Sequence, residues 1–336
     1  MSLYFPEFAG EFEKILDSVK GANIAVAGHM RPDGDCVGSQ LALAEILSKR
    51  GAARVVCVNQ NPIPQLYAGI AEGAEMLPAE DFADESFKIV TVDCAEYSRV
   101  SPALCGRFPS VLACIDHHAT NAPSAKINII DPQAAATAEL VAGLALDAGV
   151  EISPYAANLL YMGVATDTRQ FTTTSTRLKT FSIAAALVEA GADTARVAVE
   201  LYQCERFAKL KLTAEYLKSL ELLCGGKACI GVLPFGVFEK TGARKEDTDG
   251  LVDYARSVRG VEIAALLEDT GGAVKGSLRA KDPKYRVDTL AQMFGGGGHH
   301  AAAGFTAEGE KLETFYPKIA AAIESRIAEF GGQTKA

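Results

Sequence analysis

Five short apolar runs, most of them separated by segments of helical periodicity, constrain the N-terminal half of this chain more than any other feature. They are NIAVAG (23–28), RVVCV (54–58), KIVTVD (88–93), VLACID (111–116) and KINII (126–130). Each is apolar on both faces. A strand that hides both faces needs helices above and below it, which is the environment of a mostly parallel sheet. Helical spacing fits 7–20, where Phe8, Phe12, Ile15, Leu16 and Val19 form one stripe. A second helix leaves the HMRPDGD loop and runs to about Lys49, stopped by Gly51. Further helices are expected over 136–149, 154–165 and 176–190. A long helical stretch, about 193–223, reads as a connector. After it the pattern restarts with strands at CIGVLPF (229–235), EIAALLE (262–268) and AVKGSLRA (273–280), a helix near 287–294, the loop GGGGHH and a last helix over about 311–330. The expected fold is α/β. A domain with a mostly parallel, helix-covered sheet spans 1–190, a helical linker 191–215, and a smaller α/β domain 216–330.

The chain has 336 residues, 49% of them hydrophobic, enough for two buried cores. No apolar run reaches the ~18 residues of a membrane span, and the N-terminus lacks the basic start and apolar core of a secretory signal. No membrane partner is expected. The eight cysteines include no C-x-x-C pair and sit mostly in apolar stretches. They read as buried reduced thiols of a cytoplasmic protein. The formal charge is −9, and no basic run exceeds a few residues. That excludes a long nucleic acid gripped along the surface. It leaves room for a short anionic ligand in one cleft, because bound cations invert the local field.

The residues able to do chemistry are concentrated in five segments: GHMRPDGDCVGS (28–39), VDC (92–94), IDHH (115–118), TDT (166–168) and GGGGHHAAAG (295–304). The first three follow or end expected strands. In parallel sheets, ligands bind beyond the carboxyl ends of the strands. His29, Asp33, Asp35, Asp93, Asp116, His117 and His118 are thus delivered to one edge. Crowded carboxylates repel unless a cation sits among them. Carboxylate and imidazole without thiolate suit Mn²⁺ or Mg²⁺, with Zn²⁺ open. Six or more ligands are enough for two cations, which would share a water and act as a nucleophile-generating pair at phosphorus. One aspartate at a strand end is usually a helix cap, but all five histidines fall in three short segments, and core histidines would scatter. Gly295–Gly298 is not a P-loop, since no Lys-Ser/Thr follows. Its glycines allow backbone N–H groups near a phosphate. Alone, Arg279 reads as a surface residue at a strand end.

Together these segments resemble the DHH/DHHA1 phosphoesterase superfamily, most closely its NrnA-like branch of enzymes acting on very short RNAs and 3′-phosphoadenosine 5′-phosphate (pAp). The resemblance covers nearly the whole chain, in order. It implies that His29 and Asp33 hold one Mn²⁺, that Asp35, His117 and Asp167 hold the other, and that Asp93 bridges both, with Mg²⁺ or another divalent ion as a substitute. It implies that His118 lies beside the scissile phosphate and that Asp116 orients the histidines. It assigns Arg279, Gly297, Gly298 and His299 to the far phosphate or terminal nucleotide, and it is compatible with a homodimer. The expected reaction is hydrolysis of short oligoribonucleotides to mononucleotides and of pAp to AMP. Two positions depart from the family pattern: Arg169 stands where Gly is usual, and Cys36 where a small alanine-like residue is usual, which reads as simple packing. Cyclic or linear dinucleotide phosphodiesterases share the motifs and stay open as alternatives. So does a non-catalytic nucleotide sensor, although the full ligand set argues against it. A manganese pyrophosphatase would lack the Gly-rich module, and a processive exonuclease would want a basic, aromatic channel.

Overall fold

The computed structural model describes residues 3–121 and 125–331. The chain divides into two compact units, Met1–Cys204 and Glu205–Ala336.

Unit one contains strands β1 (Asn23–Ala27), β2 (Arg54–Asn59), β3 (Met76–Pro78), β4 (Phe87–Val92), β5 (Val111–Asp116) and β6 (Ile127–Ile130). All pairings are parallel, in the order β3-β2-β1-β4-β5-β6. The expected parallel sheet is therefore present, with β3 added at its edge. Pro78 suits that place, because an edge strand spares the missing N–H. The helices are α1 (Ala9–Val19), α2 (Gly34–Lys49), α3 (Pro102–Arg107), α4 (Thr137–Asp147), α5 (Pro154–Asp167), α6 (Leu178–Glu189) and α7 (Thr194–Tyr202). The strand order reverses direction between β1 and β4. Loops leaving those neighbours diverge to opposite faces and open a crevice at their carboxyl ends.

Helix α2 is buried along most of its length. Two glycines let it approach the helices beside it. A Cβ on Gly38 would collide with the Leu159 carbonyl of α5, and one on Gly163 would meet Ala138 at 2.6 Å and an Asp35 oxygen at 3.0 Å. This close packing carries the start of α2 up against the start of α4, which matters for the site.

Unit two contains α8 (Phe207–Lys218), β7 (Glu221–Leu223), β8 (Ala228–Leu233), α9 (Val237–Thr241), α10 (Leu251–Ser257), β9 (Ile263–Asp269), β10 (Ala273–Ala280), α11 (Val287–Gln292), β11 (Gly297–His299), β12 (Ala302–Glu308) and α12 (Leu312–Gly331). Its sheet is mixed, ordered β11-β12-β10-β9-β8-β7, with β8 and β9 the parallel pair. Two expectations need correction. The expected helical stretch at 193–223 is two helices, broken around 203–206, and ends in strand β7. Helix α7 buries Val197 and Leu201, and α8 buries Leu212 and Tyr216 in the core of unit two. The Gly-rich loop is partly a strand: β11 pairs antiparallel with β12.

Candidate metal centre

The site forms where β1, β4 and β5 end. His29 follows β1, Asp93 follows β4, and Asp116, His117 and His118 close β5. Asp33 caps α2, accepting the Cys36 N–H at 3.0 Å. Asp35, the second residue of α2, accepts the Thr137 and Ala138 N–H groups at 2.7 and 2.8 Å. It thereby caps α4, whose own N-cap, Ala136, has no side chain able to do so. Asp167 ends α5. The six metal-type residues expected from the sequence are thus brought to one crevice, together with His118 and Asp116.

Their spacing is informative. His29 Nε2 lies 3.5 Å from Asp93 and 3.7 Å from Asp33. His117 Nε2 lies 3.4 Å from Asp167, 3.7 Å from Asp93 and 3.9 Å from Asp35. These separations lie at or beyond the upper limit of a hydrogen bond and leave room for an ion between the donors. The tautomers agree. His29 Nδ1 meets the Met30 carbonyl at 2.9 Å and His117 Nδ1 that of Ala134 at 3.4 Å. A carbonyl only accepts, so Nδ1 carries the proton and the Nε2 lone pair faces the carboxylates. Lone pairs facing anions are unfavourable unless a proton or a cation sits between them. Among the described residues three donor groups satisfy the geometry for a metal: His29, Cys36 and Asp93; Asp93, His117 and His118; Asp35, His117 and Asp167. The chemistry of the donors therefore fits divalent cations.

The ion-free electrostatics point the same way. Burial raises the Asp35 carboxyl well above its usual range, and the Asp93 charge adds to the rise. Burial also pushes Asp167 up to about 6. Burial alone would lower the His29 pKa, but the facing Asp33 and Asp93 carboxylates outweigh it and raise it. Each raised group holds a proton that a cation must displace. Affinity for Mn²⁺ should accordingly rise with pH, by about tenfold per unit for the Asp167 proton below about pH 6, that contribution levelling off above it. Calorimetric titration across that range checks this, and a flat profile would contradict the picture.

His118 belongs to one donor group, but its Nδ1 is already committed to Asp116 at 2.7 Å. Its Nε2 is the ring nitrogen left outside that bond, and the ring is half-buried. Asp116, with 0% exposure, also accepts the His117 N–H at 2.9 Å and a bond from Asn121 Nδ2.

Several contributors escaped the sequence reading. Thr137 donates its hydroxyl to Asp93 at 3.1 Å while its N–H serves Asp35, tying two carboxylates to one residue. Asn121 buttresses Asp116, and Asn59 donates to the His29 carbonyl at 3.2 Å. Cys36, read as simple packing, enters a donor group, so the set is not free of sulfur. Arg169 has φ +47, the left-handed region that glycine enters without strain, and Gln170 and Phe171 follow it there.

In unit two, cross-strand register places Arg279, Ala302 and His299 in one row and Ser277, Gly304 and Gly297 in the next. Arg279, His299 and Gly297 therefore share a sheet face. Gly298 pairs with Ala303 on the opposite, core face, and a Cβ there would strike the Ala302 and Ala303 backbone at 2.6 Å. Its glycine is needed for close strand packing, whereas nothing crowds Gly297. Arg279, Lys275 and Ser277 line a pocket of about 90 Å³ with Thr248 and Glu268.

Comparison with known proteins agrees with this geometry. Residues 23–164 match the DHH family, N-terminal domain, and residues 225–325 the DHHA1 domain. Together the matches span more than two thirds of the chain, which belongs to the DHH/DHHA1 family of phosphoesterases. The chain is 29% identical to the bifunctional oligoribonuclease and PAP phosphatase NrnA of Thermus thermophilus, over 95% of this chain and 94% of that protein. It is 28% identical to the probable bifunctional oligoribonuclease and PAP phosphatase NrnA of Streptococcus mutans, over 87% and 92%. An exopolyphosphatase-related protein from Bacteroides fragilis shares the fold, with a TM-score of 0.80, 24% identity and 96% of each chain covered.

Proposed function

We propose that this protein is a divalent-cation-dependent hydrolase that cleaves short oligoribonucleotides to mononucleotides and pAp to AMP. The observation that carries this reading is the set of gaps of 3.4–3.9 Å between the His29 and His117 imidazoles and the carboxylates of Asp33, Asp35, Asp93 and Asp167. His29 and Asp33 would hold one Mn²⁺, and Asp35, His117 and Asp167 a second, with Asp93 between them; Mg²⁺ is the natural substitute. Such ions, when bound, neutralise phosphoryl oxygens and make water a nucleophile at neutral pH. The chain's own groups do the rest. Thr137 and the start of α4 fix the Asp93 and Asp35 carboxylates. Hydrogen bonding to Asp116 raises the His118 pKa, so the imidazolium persists and can donate a proton to the leaving 3′ oxygen. The free thiols suit the reducing cytoplasm. Among the described residues no helix is long and apolar enough to cross a membrane.

Short substrates fit a chain of net charge −9, because recognition is confined to a few groups. Arg279, beside Lys275 in its pocket, would take a phosphate away from the reacting one. Arg279→Ala should raise KM for pAp about ten- to hundredfold, the ~1.5–3 kcal/mol of hydrogen bonds to a charged group, with a smaller change in kcat. An unchanged KM would remove Arg279 from substrate binding. The reading as a whole is tested by a product profile in Mn²⁺ with two- to five-nucleotide RNAs, pAp, cyclic dinucleotides and pyrophosphate. Mononucleotides from the short RNAs and AMP from pAp are expected. Turnover of cyclic dinucleotides alone would support the dinucleotide phosphodiesterase instead.

A further inference from the structure

We propose that Cys36 is a sulfur ligand to the cation held by His29 and Asp93, so that one of the two metal positions is soft and the other hard. This deepens the reading above and rests on the centre holding divalent cations.

The argument begins with position. Cys36 Sγ, a ring nitrogen of His29 and a carboxylate oxygen of Asp93 lie within 4.8 Å of one another, and all three residues are buried. Capping by Asp33 fixes the Cys36 backbone in the first turn of α2. On the other side is Gly28, at the end of β1. The space a Gly28 side chain would need is filled by the sulfur itself. The thiol is thus wedged between the start of α2 and the end of β1, at the base of the crevice. Its contact with the His29 carbonyl, at 3.9 Å, is weak even for sulfur, and the His29 ring lies beside it. Of the eight cysteines, Cys57, Cys94 and Cys114 are buried in the same unit. Among the described residues only Cys36 joins imidazole and carboxylate donors in a metal-sized group.

The chemistry follows from ligand type. Asp35, His117 and Asp167 offer oxygen and nitrogen, which suit Mg²⁺ and Mn²⁺. Adding sulfur to His29 and Asp93 shifts that position toward Zn²⁺, Co²⁺, Fe²⁺ or Cd²⁺. As the sulfur–metal bond forms the S–H bond breaks, and the proton leaves to solvent. The two positions are then inequivalent, and a mixed metal pair becomes the stable loading.

Cobalt substitution reads this out without reference to activity. The full chain is stripped with chelator and reloaded with Co²⁺. Weak visible bands report that cobalt is bound, and an intense near-ultraviolet charge-transfer band reports a sulfur ligand. Wild type should show both. Cys36→Ala should keep the visible bands and lose the charge-transfer band, with an unchanged circular dichroism spectrum. Cys57→Ala, an equally buried control, should keep both. Visible bands in wild type without charge transfer, or a charge-transfer band that survives Cys36→Ala, would overturn the ligand assignment while leaving the metal centre in place. Absence of all cobalt bands would overturn the cation reading itself, and this proposal with it.

Discussion

Asp93→Asn should lower kcat by on the order of 10³-fold or more, the several kcal/mol that a metal-held charge supplies at a phosphoryl transition state. Asp93 is 2% exposed, and its two oxygens face His29 at 3.5 Å and His117 at 3.7 Å. Among the described residues no other carboxylate lies within 4 Å of both imidazoles. Asparagine is the right replacement because residue 93 has φ +52, where Asn and Asp are tolerated and most side chains are strained. It also retains an oxygen for the Thr137 hydroxyl. The variant should bind less Mn²⁺, while its metal-free form melts no lower than metal-free wild type. One charge has left a cluster in which Asp35, raised first by burial, is raised further by Asp93. Activity within about tenfold of wild type, ~1.4 kcal/mol, would show that Asp93 does not sit between the cations.

Asp116→Asn should be as damaging for a different reason. Asp116 accepts on both oxygens, from His118 Nδ1 and the His117 N–H on one and from Asn121 on the other. A carboxamide has one acceptor oxygen and one donor nitrogen. Whichever way it turns, a donor faces a donor. Either His118 loses its tautomer and its raised pKa, or Asn121 is expelled. We expect kcat to fall roughly 10²–10⁴-fold, the range supplied by a general acid and the carboxylate that orients it. Metal content should stay at the wild-type level, since Asp116 belongs to none of the three donor groups. The pH profile separates this from a loss of fold. Hydrogen bonding to Asp116 raises the His118 pKa, so the imidazolium survives to higher pH in wild type. Without it the alkaline limb of kcat should move to lower pH. A proportional loss at every pH would mean that Asp116 only supports the fold.

The two variants separate what was legible in the sequence from what was not. His29, Asp33, Asp35, Asp93 and His117 stood out because they follow strand ends in short contiguous motifs, and Asp167, at the end of α5, because imidazole and carboxylate announce their chemistry. The parallel sheet was legible for a similar reason: β1, β4 and β5 are short runs apolar on both faces. Thr137 and Cys36 were not. Thr137 reaches Asp35 and Asp93 only because Gly38 and Gly163 let α2, α4 and α5 pack closely, a tertiary fact with no local signature. Cys36 looks like a small apolar residue in an apolar helix, and only the gap left by Gly28 shows where its sulfur goes. Strands β11 and β12 are rich in glycine and alanine, which carry little strand propensity, so pairing more than composition makes them strands. The break near 203–206 was hidden because α7 and α8 are both amphipathic, and only their separate cores distinguish them from one long helix.

Calorimetric titration of the chelator-stripped protein with Mn²⁺, followed on the same sample by dinucleotide hydrolysis, tests the central claim most directly. The account predicts two bound ions per wild-type chain, no hydrolysis before the metal is added, and turnover that appears as the sites fill. Full hydrolysis by the stripped protein, or saturation with Mn²⁺ that leaves it inert on every short RNA and on pAp, would contradict it.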